Sequence, residues 1–146
     1  MDDVIGRIES EVAMLMRLAD RNRRGGALEK TLDRSAYLLL RQLTTVGDGN
    51  VNTLARQLVL DPSTVTRQVL AMEDAGLIER GRDPQDGRAT LVTATARGRE
   101  ALASTRAARA ELYAKVLADW SDADRSSIAD LLTRLNADLD ARARLP

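Results

Sequence analysis

Residues 54–72 constrain the fold more than any other stretch, because they read as two short helices joined by a tight turn. Asp61 is a typical N-cap, since its carboxylate can accept hydrogen bonds from the free N–H groups of the next turn. Pro62 follows at the first helical position, where its missing N–H costs nothing. Each helix carries an apolar stripe, formed by Leu54, Ala55 and Leu58 in the first and by Val65, Val69 and Met72 in the second. The two stripes can close on a shared core.

The outward face of the second helix is polar and unsuited to a core. It consists of Ser63, Thr64, Thr66, Arg67 and Gln68. All five side chains can donate hydrogen bonds. An arginine can bind the edge of a guanine base through two hydrogen bonds at once. This pattern is typical of a helix-turn-helix, whose second helix enters the major groove of DNA. A helical hairpin with a solvated polar face gives the same local pattern, so this stretch alone leaves both interpretations open.

A predicted β-hairpin follows the two helices directly. Gly76 is expected to end the second helix in the left-handed conformation. Two β-prone runs then flank residues 83–88, a loop rich in Asp, Pro and Gly, and this combination predicts a hairpin. A hairpin that comes immediately after a helix-turn-helix is a wing.

Taken together, these features resemble the multiple-antibiotic-resistance regulator (MarR) family of bacterial transcription factors. The resemblance rests on the order and spacing of four fragments, which are DPSTVTR at 61–67, GLIER at 76–80, DPQDGR at 83–88, and Thr95 followed by Gly98. Ala94 departs from the leucine usual before that threonine.

The resemblance implies a mainly α fold with a small β-hairpin wing. Residues 1–146 would form a single domain of this type. Within it, 33–95 would be the winged helix-turn-helix core, and 1–32 and 96–146 would be N- and C-terminal dimerisation helices.

Hydrophobic periodicity predicts further helices at 3–22, 32–45 and 96–117, and a last helix after the N-cap Ser121. Asp33 is expected to cap the largely buried helix at 32–45, and Asn52 the helix that begins at Thr53. Val51 is expected to pair briefly with the wing. The buried side of helix 96–117 is expected to comprise Ala101, Leu102, Thr105, Ala108, Leu112, Val116 and Leu117.

The first and last helices carry long apolar stripes that a small domain cannot cover fully. They comprise Ile5, Ile8, Val12, Leu15 and Ala19 in the first helix and Ile128, Leu131, Leu132, Leu135 and Leu139 in the last. An intertwined homodimer would cover both stripes, as the resemblance also implies. A monomeric bundle with its ends folded back is the alternative.

Composition removes several classes of function. The 146 residues include no Cys and no His, which excludes disulfides, thiol-based sensing and a histidine pH switch, and makes a metal site unexpected. No nucleophile and base can be assembled for an enzyme, and no cofactor is expected. No apolar run approaches the roughly 20 residues of a membrane span, and no signal peptide is visible, so a cytoplasmic protein is expected.

The net charge is zero, so DNA binding must depend on where the charges lie rather than on their sum. The basic residues of the helix-turn-helix and wing are Arg56, Arg67, Arg80, Arg82 and Arg88, and the acidic residues are Asp61, Glu73, Asp74, Glu79, Asp83 and Asp86. A basic stripe survives if most acids cap helices or pair with arginines that do not face DNA.

By resemblance, Arg88 is expected to enter the minor groove, whose narrow form concentrates negative potential. Asp86 is expected to orient Arg88. Arg82 could serve either as a DNA contact or as a partner of Asp86. A solvated Arg–Asp pair of little energetic weight is the alternative.

The resulting hypothesis is a sequence-specific DNA-binding regulator, most simply a repressor, that binds a pseudo-palindromic double-stranded operator as a homodimer. Half-sites would lie about one DNA turn (~10 bp) apart. The resemblance also implies release by a small aromatic or anionic ligand, for which Tyr37 and Arg41 are the candidate residues. The rival hypothesis is a winged-helix dimer that serves as a protein-interaction or structural module without specific DNA binding.

Overall fold

The computed structural model describes residues 3–25, 28 and 31–146. Within those residues the chain forms six α-helices and one sheet of three short antiparallel strands, in the strand order β1-β3-β2. The elements are α1 (Asp3–Gly25), α2 (Arg34–Thr45), β1 (Gly49–Asn50), α3 (Val51–Leu58), α4 (Pro62–Asp74), β2 (Ile78–Arg82), β3 (Thr90–Ala94), α5 (Ala96–Val116) and α6 (Asp122–Ala143). The predicted winged helix-turn-helix fold with long terminal helices is confirmed. The predicted segment 1–32 includes residues 1, 2, 26, 27, 29 and 30, which lie outside the described residues.

The core lies where α2, α3 and α4 meet the sheet and the start of α5. Its fully buried side chains include Leu39, Leu40, Leu54, Val65, Val69, Ile78 and Val92. The predicted stripe of α4 is therefore confirmed, and in α3 Leu54 and Ala55 are buried while Leu58 packs against them. Helix α2 is buried on one face only, because Leu38 and Arg41 are exposed, so the prediction of a largely buried helix was only half right.

Helix starts follow local capping chemistry, except where the sheet intervenes. Asp33 accepts a hydrogen bond from the Ala36 N–H at 2.8 Å, as predicted, and α2 begins at Arg34. The predicted cap Asn52 is wrong, because Asn50 accepts from the Thr53 N–H at 2.9 Å and α3 begins at Val51. Asn50 takes this role because it ends the short strand β1, so the chain enters the helix directly from the sheet.

The wing is closed onto α5 by Thr95 and Gly98. The Thr95 hydroxyl donates to the Gly76 carbonyl at 2.7 Å and accepts from the Gly98 N–H at 3.0 Å. Gly76 itself has φ +76°, which confirms the predicted left-handed end of α4. A Cβ at position 98 would lie 2.0 Å from the Leu77 carbonyl oxygen, so only glycine allows this approach.

The two terminal helices and the far half of α5 lie outside the core. Helix α6 has no buried residue, and Leu131 is 64% exposed, while Ile5 in α1 is 53% exposed. On α5, Leu102 and Thr105 are buried as predicted, whereas Val116 is 61% exposed, because this end of the helix extends beyond the core. Among the described helices, none combines the length and apolar character that a transmembrane segment requires.

Candidate nucleic-acid interface

The turn between α3 and α4 sets the direction of the second helix. Val59 ends α3 in the left-handed conformation, with φ 54° and ψ 50°, which is a genuine outlier for a β-branched residue. The Leu60 N–H then donates to the Ala55 carbonyl at 2.9 Å. Asp61 starts α4 by accepting hydrogen bonds from the Ser63 hydroxyl and, at 3.0 Å, from the Ser63 N–H, as predicted. These bonds lower the pKa of the Asp61 carboxyl, which stays charged at the helix start.

The predicted polar face of α4 reaches solvent. Ser63, Thr66 and Arg67 are exposed, and Thr64 and Gln68 are half-buried on its flanks. The Thr66 hydroxyl donates to the Pro62 carbonyl at 2.9 Å, and the Arg67 guanidinium lies 3.5 Å from the Thr64 hydroxyl. No carboxylate among the described residues lies within salt-bridge distance of Arg67, so this cation is free to bind an external acceptor.

The wing is a regular hairpin with a self-supporting tip. Strands β2 and β3 pair from Ile78 opposite Ala94 to Arg82 opposite Thr90. At the tip, Asp86 accepts a hydrogen bond from the Arg88 main-chain N–H at 3.1 Å. Asp86 therefore orients the backbone of Arg88 rather than its guanidinium, and Arg88 is exposed.

A two-point ion pair joins the wing to α4. Arg80 in β2 donates from Nε and Nη2 to the two carboxylate oxygens of Glu73 in α4, at 2.8 and 2.9 Å. These hydrogen bonds lower the pKa of Glu73 and raise that of Arg80, so both groups stay charged. The pair was not predicted, because its residues belong to different elements. Because the two opposite charges neutralise each other, Arg80 and Glu73 add no net charge to this surface.

Two adjoining cavities border the wing, and arginines of the wing and of α3 line them. Arg82 and Arg88 line one of about 380 Å³, together with the Glu73–Arg80 pair. Arg56 lines the other, of about 310 Å³, with Asp86. Both cavities include Ala89 and Thr90, so Arg56, Arg82 and Arg88 lie around the base and tip of one hairpin.

A third cavity, of about 390 Å³, lies between α1 and α5, away from the wing. Leu15, Leu112 and Tyr113 contribute to its apolar walls, and Arg23 and Arg109 contribute cations. Arg34 also lines the cavity, but its guanidinium is paired with the Asp20 carboxylate at 2.7 Å. The Nε atom of Arg23 is buried and has no hydrogen-bond partner among the described residues.

The two residues predicted to bind a ligand lie on α2. The Arg109 guanidinium stacks 4.3 Å from the centre of the Tyr37 ring, so Tyr37 adjoins a residue that lines the third cavity. Arg41 is exposed on the same helix. Arg23 and Arg109 were missed by the sequence analysis, because nothing in their local pattern distinguishes them from solvated arginines.

Comparison with known proteins shows the family and the fold of this chain. The family model named MarR family matches residues 32–90. The uncharacterised HTH-type transcriptional regulator YxaD of Bacillus subtilis (strain 168) is 43% identical over 105 residues, which are 72% of this chain and 73% of the relative.

Two solved structures have the same fold along most of their length. A probable transcriptional regulator from Pseudomonas aeruginosa has a TM-score of 0.69 at 31% identity, and the match covers 92% of this chain and 98% of that one. FabT of Streptococcus pneumoniae, solved in complex with DNA, has a TM-score of 0.70 at 20% identity, with 94% and 96% covered. At that identity FabT is similar in fold alone.

Proposed function

Because this chain belongs to the MarR family of DNA-binding transcription regulators, we propose that it represses transcription by binding a pseudo-palindromic operator as a homodimer. The role is regulatory rather than catalytic, and it would be performed in the cytoplasm. The observation that carries the proposal is the exposed polar face of α4, whose Arg67 has no carboxylate partner among the described residues. The Glu73–Arg80 pair supports it, because it fixes that face relative to the wing.

The recognition helix would read the major groove through the five side chains of its polar face, Ser63, Thr64, Thr66, Arg67 and Gln68. Arg67 would supply most of the sequence discrimination, because a guanidinium binds the O6 and N7 of guanine through two hydrogen bonds. The hydroxyl groups near the start of α4 would contact phosphates or base edges and so fix the register.

The wing would contact the minor groove and the adjacent phosphates. Arg88 is exposed at its tip and would enter the groove, and Arg82 lines the same cavity and would bind the backbone. Because the chain has no net charge, only these few arginines offset its acidic residues near DNA. Affinity would therefore be modest, and it would fall with salt in proportion to the few phosphates that these arginines neutralise.

A second copy of the chain would cover the exposed apolar faces of α1 and α6. Ile5, Ile8, Leu131 and Leu139 are each about half exposed or more in the single chain. Burial of such side chains contributes roughly 25 cal/mol for each Å² removed from water, which favours an intertwined dimer. The dimer would hold two α4 helices at the separation of successive major grooves.

A small anionic aromatic compound in the third cavity would release the operator. The Nε of Arg23, which has no hydrogen-bond partner in the described part of the chain, and the guanidinium of Arg109 would bind its anionic group. The apolar walls would cover its ring. The cavity is bordered by α1 and α5, so a ligand there would favour one arrangement of the terminal helices over another. Release follows if the favoured arrangement misfits the DNA.

Band-shift measurements with the DNA upstream of the gene test the interface. We expect Arg67→Ala to lose discrimination between operator and random DNA by about 1–3 kcal/mol, the value of one bidentate base contact. Arg88→Ala should weaken binding with less loss of discrimination. Arg106→Ala, an exposed arginine on α5, is the charge-matched control and should bind as the wild type.

Two outcomes would contradict the proposal. Unchanged binding in both Arg67→Ala and Arg88→Ala would refute the assigned interface. Failure of the wild-type protein to distinguish operator from random DNA would favour the rival role, a winged-helix dimer that binds other proteins.

A further inference from the structure

The end of α6 holds the α3–α4 turn from outside the helix-turn-helix. The Arg144 guanidinium, at the end of α6, donates from Nη1 to the Arg56 carbonyl at 3.1 Å and from Nη2 to the Gln57 carbonyl at 2.6 Å. These are carbonyls of the last turn of α3, 87 and 88 residues away in sequence. The contact therefore joins the C-terminal helix to the module that carries the recognition helix.

Asp140 fixes the orientation of this guanidinium. Its carboxylate accepts from Arg144 Nε at 2.8 Å and from Nη2 at 3.1 Å, across one turn of α6. The hydrogen bonds from Arg144 lower the pKa of the Asp140 carboxyl, so it remains charged. Because one edge of the planar guanidinium is bound to Asp140, the remaining N–H groups of Arg144 face the carbonyls of α3.

Helix α3 benefits from an external partner at this end. It has only eight residues, too few to be stable by itself, and its last carbonyls lack partners within the helix. The Val59 N–H bonds the Arg56 carbonyl at a long 3.4 Å. Val59 also adopts a left-handed conformation, which persists only where surrounding contacts enforce it. A cation at a helix C-terminus is favourable as well.

Gln57 extends the contact further into the core. Its side-chain oxygen accepts from the Gln42 amide of α2 at 2.9 Å, while its main-chain carbonyl accepts from Arg144. Two residues later the chain turns at Val59, and Asp61 then starts α4. The two bonds from Arg144 thus end at the last turn of α3, four and five residues before Asp61, where α4 starts.

We propose that Arg144 is a positioning residue for DNA binding. It couples the C-terminal helix to the recognition helix through its two hydrogen bonds to the last turn of α3, a contact that we term the grip. This inference rests on the proposed function for its effect on operator binding. The grip itself is independent of DNA, since it is a contact within the free protein.

The experiment compares full-length Arg144→Gln with the wild type. We expect amide hydrogen exchange at Val59 and Leu60 to be about fivefold faster in the variant, because the turn loses two charged hydrogen bonds. Operator affinity should fall while affinity for random DNA changes little. The free energy of unfolding from urea denaturation should fall by no more than the same fivefold factor, about 1 kcal/mol, because the lost bonds exist only in the folded state. A larger fall, with operator and random DNA weakened alike, would indicate a merely structural role.

Matched variants separate the grip from a simple change of charge. Arg142→Gln removes an exposed arginine from the same turn of α6 and should leave both exchange and binding unchanged. Arg144→Lys keeps the charge as a single compact donor and should restore the wild-type behaviour only in part.

The outcomes are distinct. Wild-type exchange rates at Val59 and Leu60 in Arg144→Gln, equal effects of Arg142→Gln, or complete rescue by lysine would each overturn the grip. Faster exchange with unchanged operator affinity would overturn the positioning role. If the wild-type protein bound no DNA, the proposed function would fail, while the exchange measurement would still decide whether Arg144 holds the turn.

Discussion

At the residue scale, Gly98 has no room for a side chain. Its missing Cβ would lie 2.0 Å from the Leu77 carbonyl oxygen and 3.0 Å from Leu40 Cδ2. Backbone cannot yield to a methyl group as a flexible side chain can, so Gly98→Ala must push α5 away from the wing. We expect the free energy of unfolding, measured by urea denaturation, to fall by about 1–3 kcal/mol, the usual cost of overpacking.

Gly6→Ala is the matched control, because Gly6 also lies in a helix but has no atom within 4 Å of its missing Cβ. Alanine has the higher helix propensity, so this change should be neutral or stabilise by up to about 1 kcal/mol. Equal stability of Gly98→Ala and the wild type would show that the Thr95–Gly98 contact does not close the wing.

Single residues were predictable where their partner is close in sequence. The predicted caps Asp33, Asp61 and Ser121 all cap helices, because a cap needs only an N–H two or three residues further on. Asn50 was missed, since its role depends on the pairing of Gly49 with Val92 across the sheet. The Glu73–Arg80 pair joins two different elements, and no local pattern marks it.

At the element scale, the exposed stripe of α6 predicts the oligomeric state. Leu131→Glu places a charge in the centre of that stripe, where a second chain would bury it without a partner. We expect sedimentation equilibrium to show a dimer for the wild type and mainly monomer for Leu131→Glu. Ala137→Glu, on the opposite side of α6 and also exposed, should remain a dimer.

A monomeric wild-type protein at micromolar concentration would contradict this expectation, and so would dimers of equal stability in both variants. Loss of the dimer should also weaken operator binding, because each half-site would then be bound separately.

Helices were predictable as elements, because their apolar residues recur at the helical period over two turns or more. Their ends and burial were less so. Helix α2 begins at Arg34 rather than at residue 32, and Val116 on α5 is exposed. Periodicity identifies which face is apolar, but it cannot tell whether the same chain or a second one covers that face.

At the scale of the whole molecule, the third cavity predicts a response of DNA binding to small aromatic anions. We expect millimolar benzoate to weaken operator binding in band shifts. Its carboxylate can accept a hydrogen bond from the buried Nε of Arg23, for which the described residues supply no partner. Linkage then requires operator DNA to weaken benzoate binding by the same factor. Calorimetry with and without DNA measures this second effect.

Arg23→Gln should abolish the response, while Arg21→Gln, an exposed neighbour on α1, should retain it. An equal response in both variants would place the benzoate elsewhere. No response in the wild type would remove this cavity, or this class of ligand, from the proposed mechanism.

The charge pattern of the whole surface lay beyond sequence reasoning. The sequence shows five arginines and six acids in the helix-turn-helix and wing, which leaves the sign of the surface open. The structure divides them by their contacts, because Arg80 is neutralised by Glu73, Asp61 caps α4, and Asp86 binds main chain. Such a division depends on distances between elements, which composition does not contain.

The bond between Glu73 and Arg80 has a bearing on how regulators of this kind diversify. Because this pair holds the hairpin against α4, it would fix the distance between the major-groove and the minor-groove contacts on DNA. The bases of a target could then change during evolution, while that distance would stay the same. A duplicated copy could acquire a new target by exchanging Arg67 or Gln68, which lie outside this pair. New binding preferences would then arise without disturbing the frame that presents them.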